Sequence, residues 1–232
     1  MRDLLTQSPQ LSRNETVAGW SYYAFSMLAL PIVLIYANSA LGTPMNEARL
    51  NFVMYAANFT AVILIFRRLL KLNLQIAARR LFPVIWYALL GYLGYSVLTR
   101  LLTDLIQVFV PGFVNVNDMA MAGLARKELT LTAIGTVVFV PVAEELFYRG
   151  LMLRQLAGKS RMLAYCISMG VFALVHVIGY IDTYSPLTLL LCFVQYLPAG
   201  YCLAWCYANT GTIVTPILMH MLANVYGLAK LR

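Results

Sequence analysis

The chain has 232 residues, 61% of them hydrophobic and 11% charged, with a formal net charge of +8 and a mean hydropathy of +0.75. A soluble domain carries roughly a quarter of its residues charged, so this composition excludes one and indicates a membrane protein. The positive charge is gathered into blocks beside apolar runs, without interleaved aromatics, which excludes a nucleic-acid site and fits residues that set membrane orientation beside anionic headgroups.

Charge-free intervals organise the chain. No Asp, Glu, Lys or Arg occurs between Glu15 and Glu47, Arg49 and Arg67, Arg80 and Arg100, Arg161 and Asp182, or Asp182 and Lys230. Each interval has about the ~17–25 residues of a membrane-spanning helix or more. The fold expected is therefore all-α: a polytopic transmembrane helical bundle of about seven spans, six to eight, in the ranges 18–40, 50–66, 82–108, 129–156, 162–180, 186–207 and 211–229.

In chain order, Met1 to Glu15 is polar and of mixed charge and lacks a cleavable signal pattern, so the first apolar stretch is expected to stay as a span. Arg67, Arg68, Lys71, Arg79 and Arg80 form the first basic block. The third element becomes amphipathic beyond Arg100, with Asp104 interrupting it, as a surface segment would. Pro111 to Glu128 is the longest loop candidate. Arg149, Arg154, Lys159 and Arg161 form the second basic block, and Gly158-Lys159-Ser160 the turn after the fourth span. Asn209-Thr210-Gly211 reads as the turn between the last two. Placing both blocks inside predicts a cytoplasmic N-terminus and, with seven spans, an external C-terminus, against which Lys230 and Arg232 weigh mildly. Cys166, Cys192, Cys202 and Cys206 lie in apolar segments and are expected to stay free as small hydrophobes. The chain divides into N-terminal spans and loops, 1–128, and a second part, 129–229, holding the chemistry.

Once loop charges are set aside, Glu144, Glu145, Arg149, His176 and His220 remain at membrane depth, with the polar Asn224. An ionisable group left unpaired in hydrocarbon costs at least ~2.5–3.5 kcal/mol, so each is a functional candidate. Rise along a helix tests whether they form one site. Measured from turns at 158–159 and at Thr210, Glu144 lies ~22 Å deep, His176 ~26 Å, His220 ~15 Å and Asn224 ~21 Å. All fit one layer of the bundle. Glu145 and Arg149, four apart, can pair, as can His220 and Asn224. Glu144 is turned ~100° from Glu145 and faces another neighbour. Phe172, one turn before His176, reads as packing. Glu144, His176 and His220 would also suit zinc, as two nitrogens and a carboxylate with water in fourth place. The metal question is open at this point.

The same residues carry a resemblance. EELFYR at Glu144 to Arg149, after Pro141 and before Gly150, FALVH at Phe172 to His176 and HMLAN at His220 to Asn224 resemble, in order, the three motifs of the CAAX protease and bacteriocin-processing (CPBP, or Abi) family of intramembrane glutamic endopeptidases. The resemblance spans Val140 to Tyr226. It implies Glu144 as general base with His176 beside it, His220 and Asn224 stabilising the oxyanion, and Glu145 and Arg149 orienting and charge-balancing the site. It favours a mechanism without a metal or other cofactor. The implied partners are the lipid bilayer and a membrane-associated peptide or small-protein substrate, processed in CAAX fashion or in bacteriocin or pheromone maturation or immunity. The implied location is a multi-pass protein of a bacterial plasma membrane. Two other functions stay open: a non-catalytic regulator binding a membrane partner such as a sensor kinase, and a proton-coupled carrier, against which the lack of an internal repeat counts.

Overall fold

The computed structural model describes residues 8–230; Met1–Gln7 and Arg232, which entered the reading of the termini, lie outside that range. Among the described residues there is no strand. Ten helices follow one another: α1 Arg13–Leu28, α2 Leu30–Ser39, α3 Glu47–Ile65, α4 Arg67–Arg79, α5 Leu81–Phe109, α6 Val116–Lys127, α7 Leu129–Ala157, α8 Arg161–Val175, α9 Pro186–Thr210 and α10 Val214–Lys230.

Local chemistry sets most of the boundaries. Ser12 and Glu15 form a reciprocal capping box at α1, with the Ser12 amide donating to Glu15 Oε2 at 2.7 Å and the Glu15 amide to Ser12 Oγ at 3.2 Å. Asn46, Asn115, Ser160 and Ser185 each accept a first-turn amide at the starts of α3, α6, α8 and α9. Gly211, at φ 68°, ends α9 in the left-handed region that glycine enters without a Cβ clash. Pro31 lies just after the break at Ala29, where α1 and α2 meet at 48°.

Five helical segments are long and apolar enough to cross a membrane: α3, α5, α7, α8 continued to Tyr180, and α9; the bent α1–α2 pair makes a sixth. The seventh expected span is α10, whose 17 residues sit at the short end of the ~17–25 that cross a bilayer. Lipid-facing positions are apolar, as an exterior without water requires: Leu28, Phe82, Val108 and Met162 are all more than 70% exposed.

Two helices occupy stretches outside the expected spans. The first basic block is the amphipathic helix α4, which buries Leu69, Asn73 and Ala77 at four-residue spacing and turns Arg67, Arg68 and Lys71 outward. Within Pro111 to Glu128, Asn115 starts α6. The third span keeps its expected range: α5 runs through Asp104 to Phe109, and Arg100 pairs with Asp104 one turn on at 2.8 Å.

The centre of the bundle is α7, with residues 145–153 all buried. One of its sides packs on Phe66, Leu69, Ala204, Tyr207 and Ile213, the other on Phe172, Cys202, Leu203 and Met219. Between helices in lipid, close packing and internal hydrogen bonds replace the aqueous hydrophobic drive. All four cysteines are free.

Candidate functional site

Helix α7 is not a regular α-helix. It widens into π-type turns at Gly135–Phe139 and at Leu146–Leu153, a distortion common at functional sites. In the first, the Val140 amide bonds Gly135 O, five residues back. That bypasses Thr136 O, whose own five-residue partner would be Pro141, which has no N–H. Asn224 fills the place: its Nδ2 donates to Thr136 O at 2.7 Å. The carbonyl left open by the proline before the first motif is thus bonded by the asparagine of the third, across two helices.

Glu145 and Arg149 are fully buried. Arg149 Nη1 donates to Glu145 Oε1 at 3.0 Å, its Nη2 to Gly200 O of α9 at 3.0 Å, and its guanidinium carbon lies 4.7 Å from the Phe172 ring centre. The second-block arginine is therefore an interior group rather than an orientation signal. Glu145 Oε1 is shared, since His220 Nδ1 lies 2.9 Å from it. One carboxylate holds the arginine of the first motif and the histidine of the third. With Nδ1 turned to Glu145, His220 presents Nε2 to the interior.

His176 follows the last turn of α8. Its Nδ1 is 2.7 Å from Phe172 O, and a carbonyl only accepts, so Nδ1 carries the proton and Nε2 is free for chemistry. The imidazole stacks on Tyr196 with centres 4.1 Å apart and planes at 26°. Phe172 is the packing hub: its ring centre is 4.6 Å from that of His176 and 6.0 Å from that of His220.

A cavity of about 60 Å³ is lined by His176, Tyr196, His220 and Asn224, and closed by apolar groups including Leu203 and Met219; it has room for a few waters. Glu144 is half-buried, forms no direct bond to the others, and has one oxygen, Oε2, buried without a hydrogen-bond partner. It is within electrostatic reach of His176, Tyr55 and Tyr148. The structure thus joins Glu145, Arg149 and His220 by direct bonds, brings His176 and Asn224 to one cavity, and leaves Glu144 beside them.

The zinc arrangement of Glu144, His176 and His220 is not assembled. Among the described residues, no three His, Cys, Asp or Glu side chains are grouped to hold an ion. Sequence reasoning missed Thr136, Tyr196 and Gly200. The first could have been found from the Pro141 register, and the other two only as a four-residue pair on one face of α9.

Residues 126–226 match the family model described as type II CAAX prenyl endopeptidase Rce1-like. The matched segment holds all six candidate residues and begins at the end of α6. No curated protein and no solved structure matches the chain significantly.

Proposed function

We propose, from the match of residues 126–226 to the type II CAAX prenyl endopeptidase Rce1-like family model, a glutamate- and histidine-dependent hydrolysis of a peptide bond inside the bundle. The family carries CAAX-type intramembrane proteolysis; the roles below are this chain's own residues reasoned forward.

Glu144 accepts a proton from water, using the carboxylate oxygen that has no protein partner. The free Nε2 of His176 is the second acceptor directed at the same water. The hydroxide adds to the scissile carbonyl, and Asn224 donates to the resulting oxyanion through the amide proton not used on Thr136 O. His220 donates from Nε2, which requires protons on both ring nitrogens; Glu145 Oε1 fixes Nδ1, and the added positive charge is matched by the oxyanion that forms. Donors fixed before the reaction, in a water-poor site, stabilise developing charge more than mobile solvent does. The proton held by Glu144 passes to the departing amine, and the carbon–nitrogen bond breaks. Water is the only co-reactant.

The observation that carries this reading is the shared Glu145 oxygen. Fully buried, it ties Arg149 to His220, so the charged groups serve each other and leave Glu144 free as base. The substrate class that fits is a membrane-associated peptide or small protein, CAAX-type or a secreted peptide undergoing maturation or immunity processing. The setting that fits is a bacterial plasma membrane.

The test compares new peptide termini, by mass spectrometry, in membranes and medium of cells expressing wild type or Glu144→Gln at matched levels. Termini present only with wild type are the expected result. Identical termini, with the biological effect surviving the substitution, would replace the protease with a regulator that binds a membrane partner.

A further inference from the structure

The two histidines of the site are held differently. His220 has a buried carboxylate on its ring nitrogen; His176 has only the carbonyl of its own preceding turn. That bond selects the tautomer but leaves the ring plane free to tilt about it. A second constraint comes from α9, where the Tyr196 ring lies 4.1 Å from the imidazole and near-parallel to it.

Tyr196 is itself tied down from outside the family-matched segment. Asn117, in the first turn of α6, donates from Nδ2 to Tyr196 Oη at 2.8 Å, and its Oδ1 accepts from Tyr180 Oη at 3.3 Å. Next to it, Asn115 caps α6 and donates to Gln195 at 3.0 Å, and Gln195 in turn donates to Thr103 of α5 at 3.2 Å. The start of α6 is therefore stitched to two successive residues of α9, one of which is the tyrosine that flanks the imidazole. The anchored phenol fixes the Tyr196 ring in place against the imidazole.

We propose that Tyr196 is the positioning residue for His176 and that Asn117 locks it, so that helix α6 sets the direction of His176 Nε2. The positioning stands on geometry alone; its consequence for turnover rests on the proteolytic reading above.

The chain has two histidines, which makes a direct test practicable. The full-length protein is prepared in lipid nanodiscs with isotope-labelled histidine, and the imidazole signals are assigned with His176→Gln. Asn117→Leu removes the lock, Tyr196→Phe keeps the ring without its anchor, and Tyr196→Leu removes the stack. The expected result is a displaced or split His176 imidazole signal in all three, largest in Tyr196→Leu, with His220 signals as in wild type in Asn117→Leu and Tyr196→Phe. Wild-type His176 signals in Asn117→Leu and Tyr196→Phe would overturn the proposal, and these two mild substitutions keep it falsifiable if Tyr196→Leu does not fold. On a substrate named by the termini experiment, Asn117→Leu should lower kcat by roughly tenfold or more at unchanged KM, as misalignment of a reacting group does. A loss confined to KM would equally count against it. Displaced His176 signals in a protein whose wild-type and Glu144→Gln termini are identical would leave the positioning intact and remove the protease.

Discussion

Arg149 is the residue on which burial and charge bear hardest. Its guanidinium has no exposed surface and is neutralised by Glu145, with Gly200 O and the Phe172 ring taking other parts of it. Removing one member of a buried pair leaves the other charged and unpaired, typically a loss of about 3–5 kcal/mol. Arg149→Met is expected to lower the melting temperature in detergent sharply, and Arg149→Lys to rescue little of it, because an ammonium cannot span Glu145 and Gly200 in the fork geometry. If Arg149→Lys melts like wild type, the pair is not the support described here. Gly200 tests the other side of the fork. A Cβ there would come within 2.9 Å of Met169 Cγ and 3.0 Å of its backbone Cα. Gly200→Ala must push α9 off α8 and carry the Arg149 acceptor with it. Lower thermal stability and reduced cleavage are expected together, with Gly94→Ala, whose nearest neighbour is a sulfur at 3.8 Å, as the control that changes neither.

Among the elements, α4 has the least obvious bearing on the site and a direct mechanical link to it. Asn73 is fully buried; its Oδ1 accepts the Ile213 amide at 2.8 Å and its backbone carbonyl accepts Thr212 Oγ1 at 3.0 Å. These bonds fix the entry to α10, the helix that carries His220 and Asn224. Asn73→Leu strands the Ile213 amide, a loss of roughly 1–3 kcal/mol. The expected readout is faster hydrogen exchange at Ile213 and the first turn of α10, with α8 protected as before; unchanged exchange there would mean α10 is held by packing alone. Element by element, sequence legibility followed periodicity and charge. The long spans were visible as charge-free intervals, and the Glu145–Arg149 pair as a four-residue spacing inside one of them. Helix α4 was hidden because its charges, read as a block, mask the Leu69, Asn73, Ala77 stripe. Helix α6 was hidden because only Val116 and Leu124 of it are buried, too few for a pattern. The first π turn of α7 could not be read at all: it depends on which carbonyl loses its partner at Pro141, and on Asn224, 83 positions later in the chain, being there to replace it.

Across the whole molecule, the bonded contacts sort the connections into two ends. At one, Glu15 pairs with Arg68 and Trp20 with Gln155, while Asn73 meets Thr212 and Ile213; this end gathers the start of α1, helix α4 and the turns before α8 and α10. At the other, Glu47 pairs with Lys127, Arg49 with Glu128, and Tyr180 with Asn117. The first end holds Arg67, Arg68, Lys71, Lys159 and Arg161, the composition expected to stay cytoplasmic, and α10 runs away from it toward the opposite end. His176 closes α8 at the opposite end, 15 residues beyond Arg161, or ~22 Å at the rise of a helix. In a hydrocarbon core ~30 Å thick, a cytoplasmic first end would set the cavity in the outer half of the bilayer, under α6. Single cysteines in a background without the four native ones should therefore divide cleanly: Lys71→Cys blocked by a membrane-impermeant thiol reagent only after the cells are opened, Asp182→Cys blocked from outside in intact cells. Labelling in the reverse sense would invert the molecule and put the cavity under the cytoplasmic face, where a lipidated C-terminus made in the cytoplasm could reach it. Labelling in the predicted sense would favour, of the two proposed substrate classes, the secreted peptide, whose scissile bond arrives from the outer side.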